Sequence, residues 1–247
     1  MSTMTFWKDP AHYPILVFGM HRSGSSLLSR ILHSSEIYMG LMQEHNAEAI
    51  HFLSLNQQLL HERKANWLKP SMVEESRLKE YTPAQLYHEH FKLNRGGALY
   101  RRFFFNESWG WKDPRNTFCL PYWLSIFPKL KAIHIHRDGR DVAMSLFNRN
   151  RKEGEVQDEQ LNTLVSCFQL WEKYIAQAFN YTDSDFPLLS IAYRDLVAGE
   201  EDTFLQLSNF VGKSIQGHKR EERKYIYPPE LQAAAAESRW MKILGYL

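Results

Sequence analysis

Residues 15–26 read ILVFGMHRSGSS, and this stretch decides the fold. Residues 15–18 form a short, continuous apolar run that ends at Gly19, which is typical of a strand buried on both faces of a parallel sheet. After a turn that contains two glycines, residues 26–33 predict a helix with its apolar side chains on one face. A strand, a glycine turn and a helix in this order begin an α/β unit.

The rest of the chain repeats this order. Further strands are predicted over 109–112, 132–135 and 187–192, and helices over 47–60, 116–127 with a break at Pro121, 138–150 with Asp138 as cap, 161–175, and through Phe204, Leu207 and Val211. This predicts one domain over 1–247 with a P-loop-type, three-layer α/β/α fold around a central parallel sheet. Residues 62–108 mix prolines, glycines and aromatics, and we interpret them as short helices that form a lid or acceptor wall.

Composition excludes several classes of protein. The chain has 44% apolar and 23% charged residues, which is typical of a folded globular domain. Its two cysteines, Cys119 and Cys167, are too few for a disulfide scaffold and lie in apolar helical contexts that predict core positions. No apolar run approaches the ~20 residues of a membrane span, and residues 1–10 hold no apolar signal. We therefore expect a mature, intracellular (cytoplasmic) protein with no membrane partner.

The loop after the first strand has the spacing of a phosphate-binding loop. Two glycines, Gly19 and Gly24, enclose four residues, and the following helix would offer its N-terminal N–H groups to an anion. A nucleotide triphosphatase would have lysine where Ser25 stands, whereas the cation here is Arg22, inside the loop. Ser23 and Ser26 add hydroxyls. This pattern favours a single phosphate over a triphosphate.

A second basic turn lies at residues 131–146. A strand ends at Arg137, and on the helix that follows Ser145 and Arg149 share a face. A cation at the end of a strand and a hydroxyl two turns into the helix could bind a second phosphate, because open α/β sheets bind ligands at the carboxyl ends of their strands. His134 and His136 share a strand face, but the sequence offers no third metal ligand beside them, so we predict no zinc site.

Together these stretches resemble the sulfotransferase superfamily, which uses 3′-phosphoadenosine 5′-phosphosulfate (PAPS) as its sulfuryl donor. Residues 22–26 are similar to that family's 5′-phosphosulfate loop, and Arg137 with Ser145, eight residues later, to its 3′-phosphate pair. Residues 193–196, which begin with Tyr193, are similar to a segment near the cofactor. Residues 109–115 resemble the Lys-Asp-Pro-Arg segment of bacterial-type and tyrosylprotein-type members. The branch that the chain resembles is bacterial-type, Golgi-type or tyrosylprotein-type.

The resemblance implies several roles for individual residues. It assigns Arg22 to the leaving phosphate and Lys112 to the bridging or sulfuryl oxygen, and no metal is expected. A base must take the proton of the acceptor, and we favour Glu48 at the start of the second helix, ahead of Glu44 and His45. The chain lacks the cytosolic type's C-terminal purine-binding and dimer motifs. Oligomeric state therefore stays open.

The acceptor itself stays undefined, and small molecules, carbohydrates and peptides are all candidates. A set of aromatic residues could line an acceptor site or pack in the core: Trp67, Tyr100, Phe103, Phe104, Phe105, Trp109 and Trp111. A P-loop kinase or other nucleotide-binding protein is the alternative function, and a polyanion-binding module is a third. The net charge of +2 argues against nucleic acid as a partner.

Overall fold

The computed structural model describes residues 13–40, 46–76, 108–152, 157–217, 219–221 and 224–247. In this part of the chain the sheet has four strands, Ile15–Phe18 (β1), Gly110–Lys112 (β2), Lys131–His136 (β3) and Leu188–Ala192 (β4). All neighbours are parallel, and their order is β2-β1-β3-β4. The predicted parallel α/β sheet is therefore confirmed, with no strand end shifted by more than one residue.

Helices cover both faces of this sheet. They are Ser25–Ser34 (α1), Ile50–Glu62 (α2), Asn116–Ile126 (α3), Gly139–Asn150 (α4), Leu164–Phe179 (α5), Tyr193–Ala198 (α6), Glu201–Val211 (α7), Pro229–Glu237 (α8) and Arg239–Ile243 (α9), with a 3-10 turn at Glu159–Leu161. Side chains fix two of the starts. Asp138 accepts from the backbone N–H of Arg140 at 2.8 Å and caps α4, and Thr163 accepts from that of Ser166 at 3.0 Å and caps α5.

The alternation of side chains along the strands divides the core into two layers. Leu16 and Phe18 of β1 face a large aromatic cluster that includes residues of α2, α3 and α5, whereas Ile15 and Val17 face a smaller aliphatic cluster with α1 and α7. Successive strand residues point to opposite faces, and both faces of β1 are buried. This is the three-layer arrangement that the continuous apolar run predicts.

Two predictions about helices need correction. Pro121 does not interrupt α3, because the carbonyl of Thr117 that a proline leaves without its helical donor accepts the Tyr181 hydroxyl at 2.9 Å. The helix predicted through Phe204, Leu207 and Val211 is present as Glu201–Val211, and a separate short helix, Tyr193–Ala198, precedes it, with Gly199 at φ +75° between the two. Residues 63–76 contain no helix, and the remainder of the predicted lid, 77–107, lies outside the described residues.

The order of the strands determines where a ligand site can form. The chain passes from β1 to β2 on one side and then crosses to β3 on the other, so the direction of winding changes between β1 and β3. A crevice outside the carboxyl ends of the strands forms at such a point. The two basic turns identified in the sequence follow β1 and β3, and they therefore meet there. That the whole chain forms one domain stays a prediction.

Candidate active site

Two glycines shape the loop between β1 and α1. Gly19 has φ +139°, and a Cβ there would lie 2.2 Å from the carbonyl oxygen of Ile135 on the neighbouring β3. Gly24 has φ +96°, and a Cβ there would lie 2.1 Å from the ring of Tyr193. The loop backbone lies directly against β3 and against Tyr193, and because of this close approach only glycine fits at both positions.

The loop leaves the start of α1 open to an anion. The Ser23 hydroxyl is turned inward and donates to the carbonyl of Met20 at 2.5 Å, and Arg22 has φ +70°. No side chain caps α1, and its first turn holds no acidic residue. The N–H groups of a first helical turn carry partial positive charge and have no helical partner, so this end of α1 suits a phosphate or sulfate group.

A cavity of about 280 Å³ lies beside the loop, where the turns after the strands meet. Most of the predicted site residues line it: Arg22, Gly24, Ser25, Ser26, Glu48, Lys112, Arg137, Ser145, Arg149 and Tyr193. Ser23 is buried inside the loop, and Glu44 and His45 lie outside the described residues. Of the described residues that line the cavity, five are lysine or arginine and one is a carboxylate. The lining therefore has an excess of positive charge, which suits an anionic ligand.

Lys112 and Glu48 form a buried ion pair in this cavity. Lys112 Nζ lies 3.1 Å from Glu48 Oε1 and also donates to the carbonyl of Asn46. The two residues are only 2% and 5% exposed. Burial raises the pKa of Glu48 and lowers that of Lys112, while each partner's charge opposes the other's shift. Glu48 was predicted at the start of the second helix; it lies two residues before α2, which begins at Ile50, and it lines the cavity.

A buried polar network holds the end of β2. Asp113 accepts from Asn56 Nδ2 at 3.0 Å, and from the backbone N–H and Nη1 of Arg115 at 2.9 Å each. Asn56 also donates to Asn116 Oδ1 at 2.8 Å and accepts from Trp123 Nε1 at 2.8 Å. The network directs Arg115 into the cavity. Arg115 is the last residue of the 109–115 segment but was not predicted as a site residue.

The two predicted phosphate-binding turns share this one cavity. Arg22 Nε donates to Ser145 Oγ at 2.9 Å, across 123 positions of sequence. The guanidinium of Arg137 lies 4.4 Å from the centre of the Tyr193 ring and 3.1 Å from Asp141 Oδ2. Because Arg22 touches Ser145, the two cationic turns form one continuous wall rather than two separate pockets.

His21 is a cavity residue that sequence reasoning missed. Its ring lies 4.6 Å from that of Trp67, which also lines the cavity. Nε2 is buried and has no hydrogen-bond partner among the described residues. Burial lowers the pKa of His21 well below its usual value, and Arg115 and Lys112 lower it further, so the imidazole is neutral at physiological pH. A buried neutral ring nitrogen can bond to a ligand group.

The aromatic residues considered for an acceptor site divide into two groups. Trp109 and Trp111 are fully buried in the core, where Trp111 stacks on Phe52 with ring centres 4.1 Å apart. Trp67 is the member of the predicted set that lines the cavity among the described residues. Tyr100 and residues 103–105 lie outside them.

Comparison with known proteins assigns the family. A profile of the sulfotransferase family matches residues 14–216. The chain belongs to the sulfotransferase family. Among solved structures, the sulfotransferase domain from the curacin biosynthetic pathway is similar over 92% of this chain and 97% of its own, at 16% identity and a TM-score of 0.55. A sulfotransferase from Alicyclobacillus acidocaldarius is similar over 95% and 96%, at 14% identity and 0.52. No curated protein sequence matches significantly.

In the described ranges, no group of three or more His, Cys, Asp or Glu side chains has the arrangement of a metal site. No helix in the same ranges is long and apolar enough to span a bilayer. His134 and His136 are both buried; His134 bonds to Ser190 and His136 to Tyr246.

Proposed function

We propose that this sulfotransferase transfers the sulfuryl group of PAPS to a hydroxyl or amine of an acceptor. The observation that carries the proposal is the single cavity in which the glycine loop, the start of α1 and five cationic side chains surround one buried Lys112–Glu48 pair. PAPS carries negative charge at its 5′-phosphosulfate and at its 3′-phosphate. A continuous cationic wall that contains both basic turns fits such a doubly charged nucleotide.

The chemistry is an in-line displacement at sulfur through a loose transition state. The acceptor oxygen or nitrogen attacks sulfur, the bond from sulfur to the bridging oxygen of the 5′-phosphate breaks, and its electron pair stays on that phosphate. Arg22 and the N–H groups at the start of α1 are suited to stabilise this developing charge. Lys112 would neutralise the bridging or sulfuryl oxygen. Because these cations supply the compensation, the step needs no metal.

Glu48 is the base that we favour for the acceptor proton. Its carboxylate lies 3.1 Å from Lys112, so proton acceptance and charge stabilisation would occur side by side. Burial raises the pKa of Glu48, which makes it a stronger base than an exposed glutamate. Glu44 and His45 remain the alternatives.

The 3′-phosphate is assigned to the turn after β3. Arg137, Ser145 and Arg149 line the cavity on that side, and Tyr193 packs against both the loop glycine and the Arg137 guanidinium. An arginine offers several N–H donors in one plane, which suits a phosphate better than a lysine does.

Calorimetric titration with adenosine 3′,5′-bisphosphate (PAP) tests the donor. We expect wild type to bind PAP, and Arg137→Ala and Ser145→Ala to lose about tenfold to hundredfold in affinity. Arg30→Ala, an exposed arginine on α1 outside the cavity, is the matched control and should bind as wild type does. No binding to wild type, or equal binding by all three variants, rejects the proposal.

A second titration separates the alternative function. Binding and Mg²⁺-dependent turnover of ATP without affinity for PAP would favour a P-loop kinase, which Ser25 in the lysine position argues against.

The base is tested with radiolabelled PAPS and a metabolite extract. Glu48→Gln should abolish label transfer and keep PAP affinity, and Glu201→Gln, an exposed carboxylate on α7, should transfer normally. Loss of transfer in Glu44→Gln with normal transfer in Glu48→Gln would reassign the base.

A further inference from the structure

The C-terminal segment, residues 224–247, is attached to the two strand ends that flank the proposed 3′-phosphate position. Arg140, at the start of α4 just after β3, donates from Nη2 to the carbonyl of Tyr246 at 2.8 Å. Arg194, at the start of α6 just after β4, donates from Nη1 to the carbonyl of Gly245 at 2.8 Å. Helix α8 packs on α4 and α5. These C-terminal helices were not predicted from the sequence, and no function was assigned to this segment.

One side chain of this segment reaches the cavity wall through a single intermediate. The Tyr227 hydroxyl donates to Asp141 Oδ1 at 2.7 Å. The other oxygen of the same carboxylate, Oδ2, accepts from Arg137 Nε at 3.2 Å and lies 3.1 Å from its Nη2. Asp141 is 7% exposed, so both of its oxygens depend on protein donors rather than on water. Tyr227, Asp141 and Arg137 therefore form a continuous chain of contacts from the C-terminal segment to the cavity.

We infer that Tyr227 is a positioning residue for the 3′-phosphate of the nucleotide: its hydroxyl fixes the Asp141 carboxylate, and that carboxylate fixes the Arg137 guanidinium at the cavity wall. The inference rests on the proposed function, because it assigns Arg137 to that phosphate. Tyr227 itself does not line the cavity beside the loop, whereas Arg137 does. It acts through Arg137 and not by touching the ligand there.

Tyr227 affects the phosphate site because the orientation of the Arg137 guanidinium depends on the carboxylate of Asp141. Asp141 engages the edge of Arg137 that carries Nε, and the ring of Tyr193 covers one face at 4.4 Å, so the orientation of the guanidinium is set from two sides. If Oδ1 loses its hydroxyl donor, a buried carboxylate oxygen is left unsatisfied and the carboxylate will turn to recover a donor. Arg137 is the cation in contact with it. A turned carboxylate pulls the guanidinium away from the geometry that a phosphate needs.

The hydroxyl can be removed without removing the ring. The Arg140 guanidinium lies 4.8 Å from the centre of the Tyr227 ring, a packing contact that phenylalanine preserves. Tyr227→Phe therefore isolates the hydrogen bond to Asp141. Tyr246→Phe is the matched control, because it removes another hydroxyl of the same segment, one that contacts His136 at 3.0 Å.

The experiment compares two nucleotides that differ only in the 3′-phosphate. Calorimetry gives the affinities of wild type and variants for PAP and for adenosine 5′-monophosphate (AMP), and the ratio of the two reports the 3′-phosphate alone. We expect Tyr227→Phe to lower this ratio about tenfold, mainly through weaker PAP binding, and Tyr246→Phe to leave it unchanged. Arg137→Ala should give the lowest ratio, and adding Tyr227→Phe to it should cause no further fall, since the tyrosine acts through that arginine.

The outcomes separate this inference from the function on which it rests. A wild-type ratio near one would overturn both the 3′-phosphate assignment and the role of Tyr227. A high wild-type ratio that Tyr227→Phe does not change would overturn the positioning role and leave the proposed function in place. Equal losses for PAP and AMP would identify Tyr227 as a general structural residue and overturn the inference too.

Discussion

Replacing Lys112 by methionine is the sharpest test of the buried pair in the cavity. Lys112 is 2% exposed and its partner Glu48 is 5% exposed, so removal of the ammonium group leaves a carboxylate in the interior without its nearest cation. Breaking a buried pair in this way costs about 3–5 kcal/mol of unfolding free energy. Methionine keeps most of the length and packing of the lysine stem, so the loss reports charge rather than volume.

The double variant Lys112→Met/Glu48→Gln gives the matched comparison. With both charges gone, no unpaired ion remains. We therefore expect the double variant to lose about 2–3 kcal/mol less unfolding free energy than the two single variants lose in sum. Urea denaturation at pH 7.5, followed by fluorescence, measures all four proteins of this cycle. Losses that simply add, or a loss below about 1 kcal/mol for Lys112→Met, would refute the buried pair.

The same variant has a predicted pH dependence. In wild type the Lys112 charge lowers the pKa of Glu48 against the effect of burial, so its removal leaves that pKa higher still above the unfolded value. A carboxyl whose pKa is raised on folding contributes stability below its unfolded pKa and loses it as pH rises. The difference in unfolding free energy between wild type and Lys112→Met should therefore become smaller as the pH falls from 7.5 to 5.5. A gap that widens would contradict this sign.

Two further changes test the loop and the sheet. Gly24→Ala, whose Cβ would lie 2.1 Å from Tyr193, should destabilise the protein and weaken PAP binding. The control Gly212→Ala, at φ +75° in open space, should cost only about 1–2 kcal/mol of unfolding free energy. Equal losses for the two variants in urea denaturation would contradict the overlap at Gly24. Burial lowers the pKa of His134 to about 3 and of His136 to about 4, so stability should fall below pH 6.5 by about 1.4 kcal/mol per pH unit for each. Replacing both by glutamine should flatten this fall, and an unchanged slope would count against it.

Local patterns were enough to predict the sheet and to name residues that the structure brings together around one cavity. The apolar run of β1, the glycine spacing after it and the cation inside the loop are neighbours in sequence, and each has one physical meaning in that order. The turn after β3 was found in the same way, because Arg137 and Ser145 lie on one strand end and one helix. Asp138 was predicted as a helix cap from its position alone, and the structure confirms the cap, since its side chain accepts the Arg140 N–H.

Local sequence patterns did not predict the contacts between distant segments. Helix α3 continues through Pro121 because Tyr181, far along the chain, satisfies the carbonyl of Thr117. Arg115 enters the site through the network around Asp113 and Asn56, whose members come from two helices and one strand end. Such partners leave no periodic or spacing signal, since their separation in sequence is set by the chain path between them.

The sequence by itself therefore determined the strand, loop and helix that can hold an anion, because hydrophobic period, glycine and capping act over a few residues. The tertiary structure alone decided that Lys112 meets Glu48 across 64 positions and that Tyr227 meets Asp141 across 86. Buried charged and polar groups must find partners in three dimensions, and it is the packing of the layers on the sheet that decides which partners are within reach.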